Sequence, residues 1–184
     1  MFGDLHIHMI LDGVYYRAAI DAQKEHPLDG LVRARLSDYQ ARGVCLLRDG
    51  GDAWGVSLRA RELAGEYGID YRSPAFPIYR RGHYGAFIGR GFDTEDEYRA
   101  LLDEAGEKRA DFIKLMISGL IDFDHFGVLT EPGPEPQDIR RMIELAHAAG
   151  FAVMAHANGD RAVTAALQAG VDSIEHGAYL SESV

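Results

Sequence analysis

The 184-residue sequence contains one cysteine, Cys45, and no run of 18 consecutive apolar residues. A lone thiol cannot close an internal disulfide, so nothing calls for an oxidising compartment and a cytoplasmic location is expected. The missing apolar run argues against a membrane-spanning helix. The opening MFGDLHIHM lacks the basic segment and apolar core of a secretory signal. Positive charge is also scarce: 19 Lys and Arg face 29 Asp and Glu, a formal net charge of −10. Nucleic acids and anionic membrane surfaces are held by basic patches that displace counterions. No basic stripe interrupts this sequence, and neither partner is expected. Apolar residues at 47% and charged residues at 26% exclude a disordered or low-complexity chain and leave enough core for one domain over 1–184.

What is present is a recurring unit: a short apolar strand, a polar or Gly-rich loop, and an amphipathic stretch ending at Gly. That alternation predicts an α/β fold. Strands are expected over 3–9, 44–49, 69–73, 111–118, 151–157 and 172–176. Thr94 with Glu97 reads as a capping box. Pro136 marks a helix start, followed by Ile139, Met142, Ile143 and Ala146 at helical spacing. Gly43, Gly68, Gly150 and Gly170 stand where helices should stop in a left-handed residue. The crossovers are long enough for parallel neighbours, and runs such as FAVMA suit strands covered on both faces. Three longer loops, 10–27, 74–93 and 119–134, all follow strands, which is where parallel barrels build their sites.

Four histidines and a lysine fall at the ends of those strands. His6 and His8 form an H-x-H pair whose side chains share one face of the first strand, and two neutral imidazoles there suit a metal. Lys114 lies inside the apolar run DFIKLM, where a bare ammonium is costly to bury. It could pair with Asp122 or Asp124, act as a lowered-pKa nucleophile, or be carboxylated by carbon dioxide into an anionic metal bridge. His156 in AHANG and His176 in IEHG each end a strand shortly before a glycine. Taken singly, each histidine could be a packed core residue; it is their shared position at strand ends that points to chemistry.

The ordered set DLHIHM, DFIKLMISG, FAVMAHANG and SIEHG resembles the amidohydrolase superfamily of metal-dependent hydrolases over nearly the whole chain. The resemblance implies a TIM-type (β/α)8 barrel, of which this chain would supply about six βα units. It implies two divalent ions, usually zinc, one held by His6, His8 and Lys114 and the other by Lys114, His156 and His176. Lys114 would be carboxylated by carbon dioxide, a hydroxide would bridge the ions, and Lys114, His156 and His176 would carry catalysis. The implied activity is hydrolysis of an amide, peptide or cyclic amide bond in a small amide or dipeptide-like substrate. IKLMISG and RGHYG are closest to the dipeptidase and imidazolonepropionase-like branch, although Leu120 and Arg81 each replace a glycine of that branch's motifs.

Substrate contacts are expected from the long loops: Arg80, Arg81, His83 and Tyr84 after the third strand, with Tyr15, Tyr16 and Arg17 after the first and His125 in the 119–134 loop. Arginine suits a substrate carboxylate because its planar fork binds both oxygens. His26 and His147 are read as surface residues. The family's strand-eight aspartate has no counterpart in the sequence, so the expectation is a segment of a longer protein, with Asp49 as the best internal substitute and Asp122 and Asp124 behind it. Open sheet edges would then pair with a second copy or a complementing chain. Two other readings stay open. One is a phosphoesterase of the PHP or TatD kind, which also begins with an H-x-H strand. The other is a non-catalytic metal-binding or assembly module.

Overall fold

The computed structural model describes residues 2–184. The chain divides into two compact units, Met1–Phe76 and Pro77–Val184, and both are α/β with parallel strands. The first unit runs β1 (Phe2–Ile7), α1 (Tyr16–Asp21), α2 (Asp29–Ala41), β2 (Val44–Asp49), α3 (Val56–Ala64), a 3-10 turn (Gly65–Tyr67) and β3 (Asp70–Arg72). Its sheet has the order β1-β2-β3, with Ile7 beside Asp49 and Leu47 beside Tyr71. The α2 side chains Val32 and Leu36 and the α3 side chains Val56, Ala60 and Leu63 are buried together with Leu47. Each large aliphatic among them is worth about 1.5–3 kcal/mol of apolar burial.

The second unit runs β4 (Pro77–Arg80), β5 (Arg90–Phe92), α4 (Glu95–Glu107), β6 (Ile113–Met116), α5 (Pro136–Ala148), β7 (Val153–Ala157), α6 (Gly159–Gln168) and β8 (Ser173–His176). Its five strands are ordered β5-β4-β6-β7-β8, all parallel. Every residue of β6 and β7 is buried, as their unbroken apolar runs require. On α5 the buried residues are Ile139, Met142, Ile143 and Ala146, the stripe read from helical spacing, and in addition Leu145. Among the described residues no helix is long and apolar enough to cross a membrane.

All six expected strands are present, β2 with both ends as expected and the others with no end moved by more than two residues. One such shift leaves His8 just past the end of β1. Thr94 accepts a hydrogen bond from the Glu97 N–H, and the Glu97 carboxylate accepts from the Asp93 N–H at 2.7 Å. Gly43, Gly68, Gly150 and Gly170 all have positive φ, as helix stops in the left-handed region do. The loops read differently. Residues 74–93 hold two further strands, β4 and β5, so the described residues contain eight strands where six were expected. Both are too short to show a period: PIYR opens on a proline tolerated only at a strand's first position, and RGF is three residues around a glycine. Residues 119–131 form an antiparallel arm, with Ile121 paired to Leu129 and the Thr130 N–H donating to the Leu120 carbonyl at 2.8 Å.

Candidate functional site

In the first unit the H-x-H pair behaves as the two-residue period demands. His6 and His8 flank the buried Ile7, and their ring centroids lie 5.6 Å apart. His8 Nδ1 lies 2.9 Å from the Gly51 carbonyl oxygen. A carbonyl can only accept, so Nδ1 carries the proton and Nε2 the lone pair, the tautomer a metal ligand needs. The His8 ring also lies close to Gly50, where a Cβ would come within 2.4 Å of it. Any larger residue at 50 would displace the imidazole.

Asp49, the expected substitute acid, is fully buried and spends its carboxylate on the fold. It accepts from the Met9 N–H at 3.1 Å, the Gly51 N–H at 2.6 Å and the Tyr71 hydroxyl. Burial pushes its pKa up and these donors pull against the shift. Asp52, which the sequence reading passed over, is also buried and accepts from the N–H groups of Trp54, Val56 and Ser57, capping α3. Burial, reinforced by the Asp49 charge, raises its pKa to about 6. Tyr15 is exposed, as is Tyr16 at the start of α1, whose hydroxyl accepts from Arg17 Nε at 2.9 Å.

The second unit assembles the larger set. Lys114 is fully buried on β6, His156 nearly so on β7, and His176 ends β8. The His156 and His176 ring centroids lie 4.6 Å apart at 70°, and the Tyr84 ring sits 5.0 Å from His156. His156 Nε2 lies 3.2 Å from the Gly119 carbonyl, which by the same reasoning puts its proton on Nε2 and its lone pair on Nδ1. His176 adopts φ +73°, a left-handed backbone that a non-glycine residue enters at a cost of about 1–3 kcal/mol. Burial, and then the nearby Lys114 charge, hold its imidazole below the ordinary histidine pKa, against the pull of Glu175.

Asn158 joins these strand ends in a way the sequence did not flag. Its side chain donates to the Gly119 carbonyl at 3.2 Å and accepts from the Ala178 N–H at 3.0 Å, while its own N–H donates to Ser118 Oγ at 2.8 Å. It therefore ties the exits of β6, β7 and β8 together. The one available signal is its place two residues after His156, on the same face of an extended chain.

The expected substrate-contact residues divide. Tyr84, whose ring lies beside His156, and His83 are both held by Glu131, whose carboxylate accepts from the Tyr84 N–H at 2.9 Å and from His83 Nδ1 at 3.0 Å. Arg80 instead pairs with Asp138 at 2.9 Å, and Arg81 with Asp93 and Glu97 at 2.8 Å each. His125 is exposed at the tip of the 119–131 arm, 3.3 Å from Asp122. Asp122 folds back to accept from the Asp124 and His125 N–H groups. His147, read as a surface residue, meets Asp172 at 2.9 Å, and the same Asp172 oxygen accepts from the Val153 N–H at 2.8 Å. Among the described residues no cluster of three His, Cys, Asp or Glu side chains is placed to hold a metal ion. The donors come as one imidazole pair in each unit, with Lys114 beside the second pair.

No family model matches the chain. Over 146 residues, 77% of its length, it is 28% identical to ochratoxinase of Aspergillus niger. The crystal structure of A. niger ochratoxinase superposes on 98% of the chain with a TM-score of 0.73 and 19% identity. That of a Xaa-Pro dipeptidase with bound methionine in the active site superposes on 98% with a TM-score of 0.69 and 19% identity. A further structure described as an amidohydrolase covers 95% with a TM-score of 0.58 and 22% identity. The chain spans 28% of the curated relative, and 48%, 48% and 47% of the three solved chains.

Proposed function

We propose that the chain is a member of the amidohydrolase superfamily and carries the metal-ligand strands of a hydrolase that cleaves amide C–N bonds in small or dipeptide-like substrates, a reading its similarity to ochratoxinase, a dipeptidase and an amidohydrolase supports. The observation that carries this reading is the set on three adjacent parallel strands: a fully buried Lys114 within β6, and the His156 and His176 rings of β7 and β8 4.6 Å apart. The architecture we propose for the whole protein is the (β/α)8 barrel implied by the resemblance. Its relatives named for amide hydrolysis, the dipeptidase and the amidohydrolase, support the substrate class.

The donor chemistry of these residues suits divalent ions, with zinc the first candidate. Imidazole nitrogens and one anionic oxygen bridge are suitable donors and leave positions open for substrate. A bound ion would lower the pKa of water towards about 7 and polarise the scissile carbonyl. The chain's own groups prepare for that role. His8 directs Nε2 outward because its Nδ1–H donates to the Gly51 carbonyl, and His156 directs Nδ1 outward because its Nε2–H donates to the Gly119 carbonyl. Lys114 becomes a ligand if its amine loses a proton and adds carbon dioxide, releasing a second proton and leaving a carbamate. The product is an anion where an ammonium would be costly. The Tyr84 ring would wall the substrate side of His156.

The test is metal content per chain by inductively coupled plasma mass spectrometry, on protein purified without chelators, together with hydrolysis of Xaa-Pro and acyl-amino-acid substrates. Lys114→Ala should lose metal, and short carboxylic acids should partly restore it. Full metal content in Lys114→Ala would overturn the bridge, and turnover of phosphodiesters but of no amide would favour the phosphoesterase reading.

A further inference from the structure

We propose that Glu131 is a positioning residue, whose carboxylate clamps the turn carrying His83 and Tyr84 to the 119–131 arm and so seats the Tyr84 ring against His156. The inference rests on the reading in which His156 is a ligand and Tyr84 faces substrate.

The carboxylate is shared three ways. Oε1 accepts from the Tyr84 N–H at 2.9 Å, and Oε2 accepts from His83 Nδ1 at 3.0 Å and from the Gly133 N–H at 2.9 Å. Residues 47 and 48 positions apart are thereby tied through one side chain. Burial alone would raise the Glu131 pKa, yet the donors from His83, Tyr84 and Gly133 hold it below the ordinary glutamate value. It is an anion across the neutral range, and hydrogen bonds to a charged acceptor are the stronger kind.

The backbone on both sides of the clamp is shaped for it. Gly119 pairs so closely with the arm that a Cβ would lie 2.6 Å from the Glu131 nitrogen. Gly133 has φ +81°, and a Cβ there would come within 2.1 Å of the Ile117 carbonyl oxygen. On the other loop Gly85 has φ +133°, and its Cβ would meet Tyr79 Cβ at 2.6 Å. The two segments therefore depend on separate glycines to reach the geometry that one carboxylate joins. The product of the join is specific: Tyr84 leaves the clamp with its ring 5.0 Å from His156, and Phe87 backs it at 5.4 Å.

Glu131→Gln is the sharpest variant, because the amide keeps the size and one acceptor oxygen but cannot accept at its NH2. Two NMR measurements on the full chain do not depend on turnover. Exchange of the Tyr84 amide should quicken about tenfold, as expected for losing about 1.4 kcal/mol from a charge-assisted clamp. The His156 ring-proton shift should move most of the way to its position in Tyr84→Ala, which removes the aromatic ring outright. On the Tyr84→Ala background, Glu131→Gln should add nothing to the His156 shift. With an amide substrate, Glu131→Gln should raise KM several-fold and leave kcat within about twofold. Should Glu131→Gln fail to fold, Glu131→Asp, which keeps the charge but withdraws it by one methylene, should give an intermediate His156 shift. A His156 signal unmoved in a folded Glu131 variant, while Tyr84→Ala moves it, would overturn the proposal and leave Glu131 a loop staple. If the unmodified protein hydrolyses no amide, the functional reading fails, and the exchange and shift measurements still decide the role of Glu131.

Discussion

Asp49 at the end of β2 and His156 at the end of β7 are both buried polar residues at the exits of parallel strands. Their hydrogen bonds set them apart. Asp49 receives two backbone N–H groups and the Tyr71 hydroxyl and serves to join β1, β2 and β3. His156 donates its Nε2–H to the Gly119 carbonyl, which orients the ring and places its lone pair on Nδ1, among the rings of Tyr84 and His176. Burial and strand-end position are common to a fold-building acid and a candidate ligand. The direction of the hydrogen bonds separates them.

The largest expected effect tests the structural half of that comparison. Asp49→Ala leaves two buried N–H groups and the Tyr71 hydroxyl without their acceptor, and should cost about 3–4 kcal/mol in urea unfolding. A loss below about 1 kcal/mol would break the comparison. Next comes the pH dependence of Asp52. Its folded pKa, about 6, lies above the ordinary 3.8. The folded state therefore takes up a proton that the unfolded chain does not between about pH 4 and 6. Stability should fall as pH rises through that window, by roughly 1.4 kcal/mol per unit at most. Asp52→Asn should flatten this segment of the stability profile, and an unchanged slope would assign it elsewhere.

His176→Gly sharpens the functional half. Glycine relieves the φ +73° backbone, offsetting the lost ring contact with His156, so chemical denaturation should shift by no more than about 1 kcal/mol. Metal content should nevertheless drop. A large loss of stability with metal retained would make His176 a structural residue like Asp49. The smallest effect is expected far from either strand end: Thr94→Ala removes the cap of α4 and should cost about 1 kcal/mol in the same unfolding measurement.

These contrasts also mark how far the sequence could be read. The H-x-H pair was legible because a period of two is a local property of extended chain, and His6 and His8 do flank a buried Ile7. The helix stops and the α5 stripe were legible for the same kind of reason. The roles of Arg80 and Arg81 were not, because their carboxylate partners Asp138, Asp93 and Glu97 lie 12 or more residues away. β4 and β5 stayed hidden because strands of four and three residues carry no detectable alternation.

By itself the sequence determined the parallel α/β character, the order of the ligand-type residues along the chain and the strands beside which they fall, although Lys114 lies within β6 and not at its end. These follow from local periodicity and from glycines that only a left-handed turn requires. Tertiary structure alone decided which of the buried polar groups serve the fold and which face one another. Glu131 reaches Tyr84 and His83, and Asn158 reaches Gly119 and Ala178, across loops whose closeness comes from packing the whole sheet. A hydrogen bond spanning 47 residues leaves no trace in the spacing of either partner, because the chain between them can be any length that lets the strands pair.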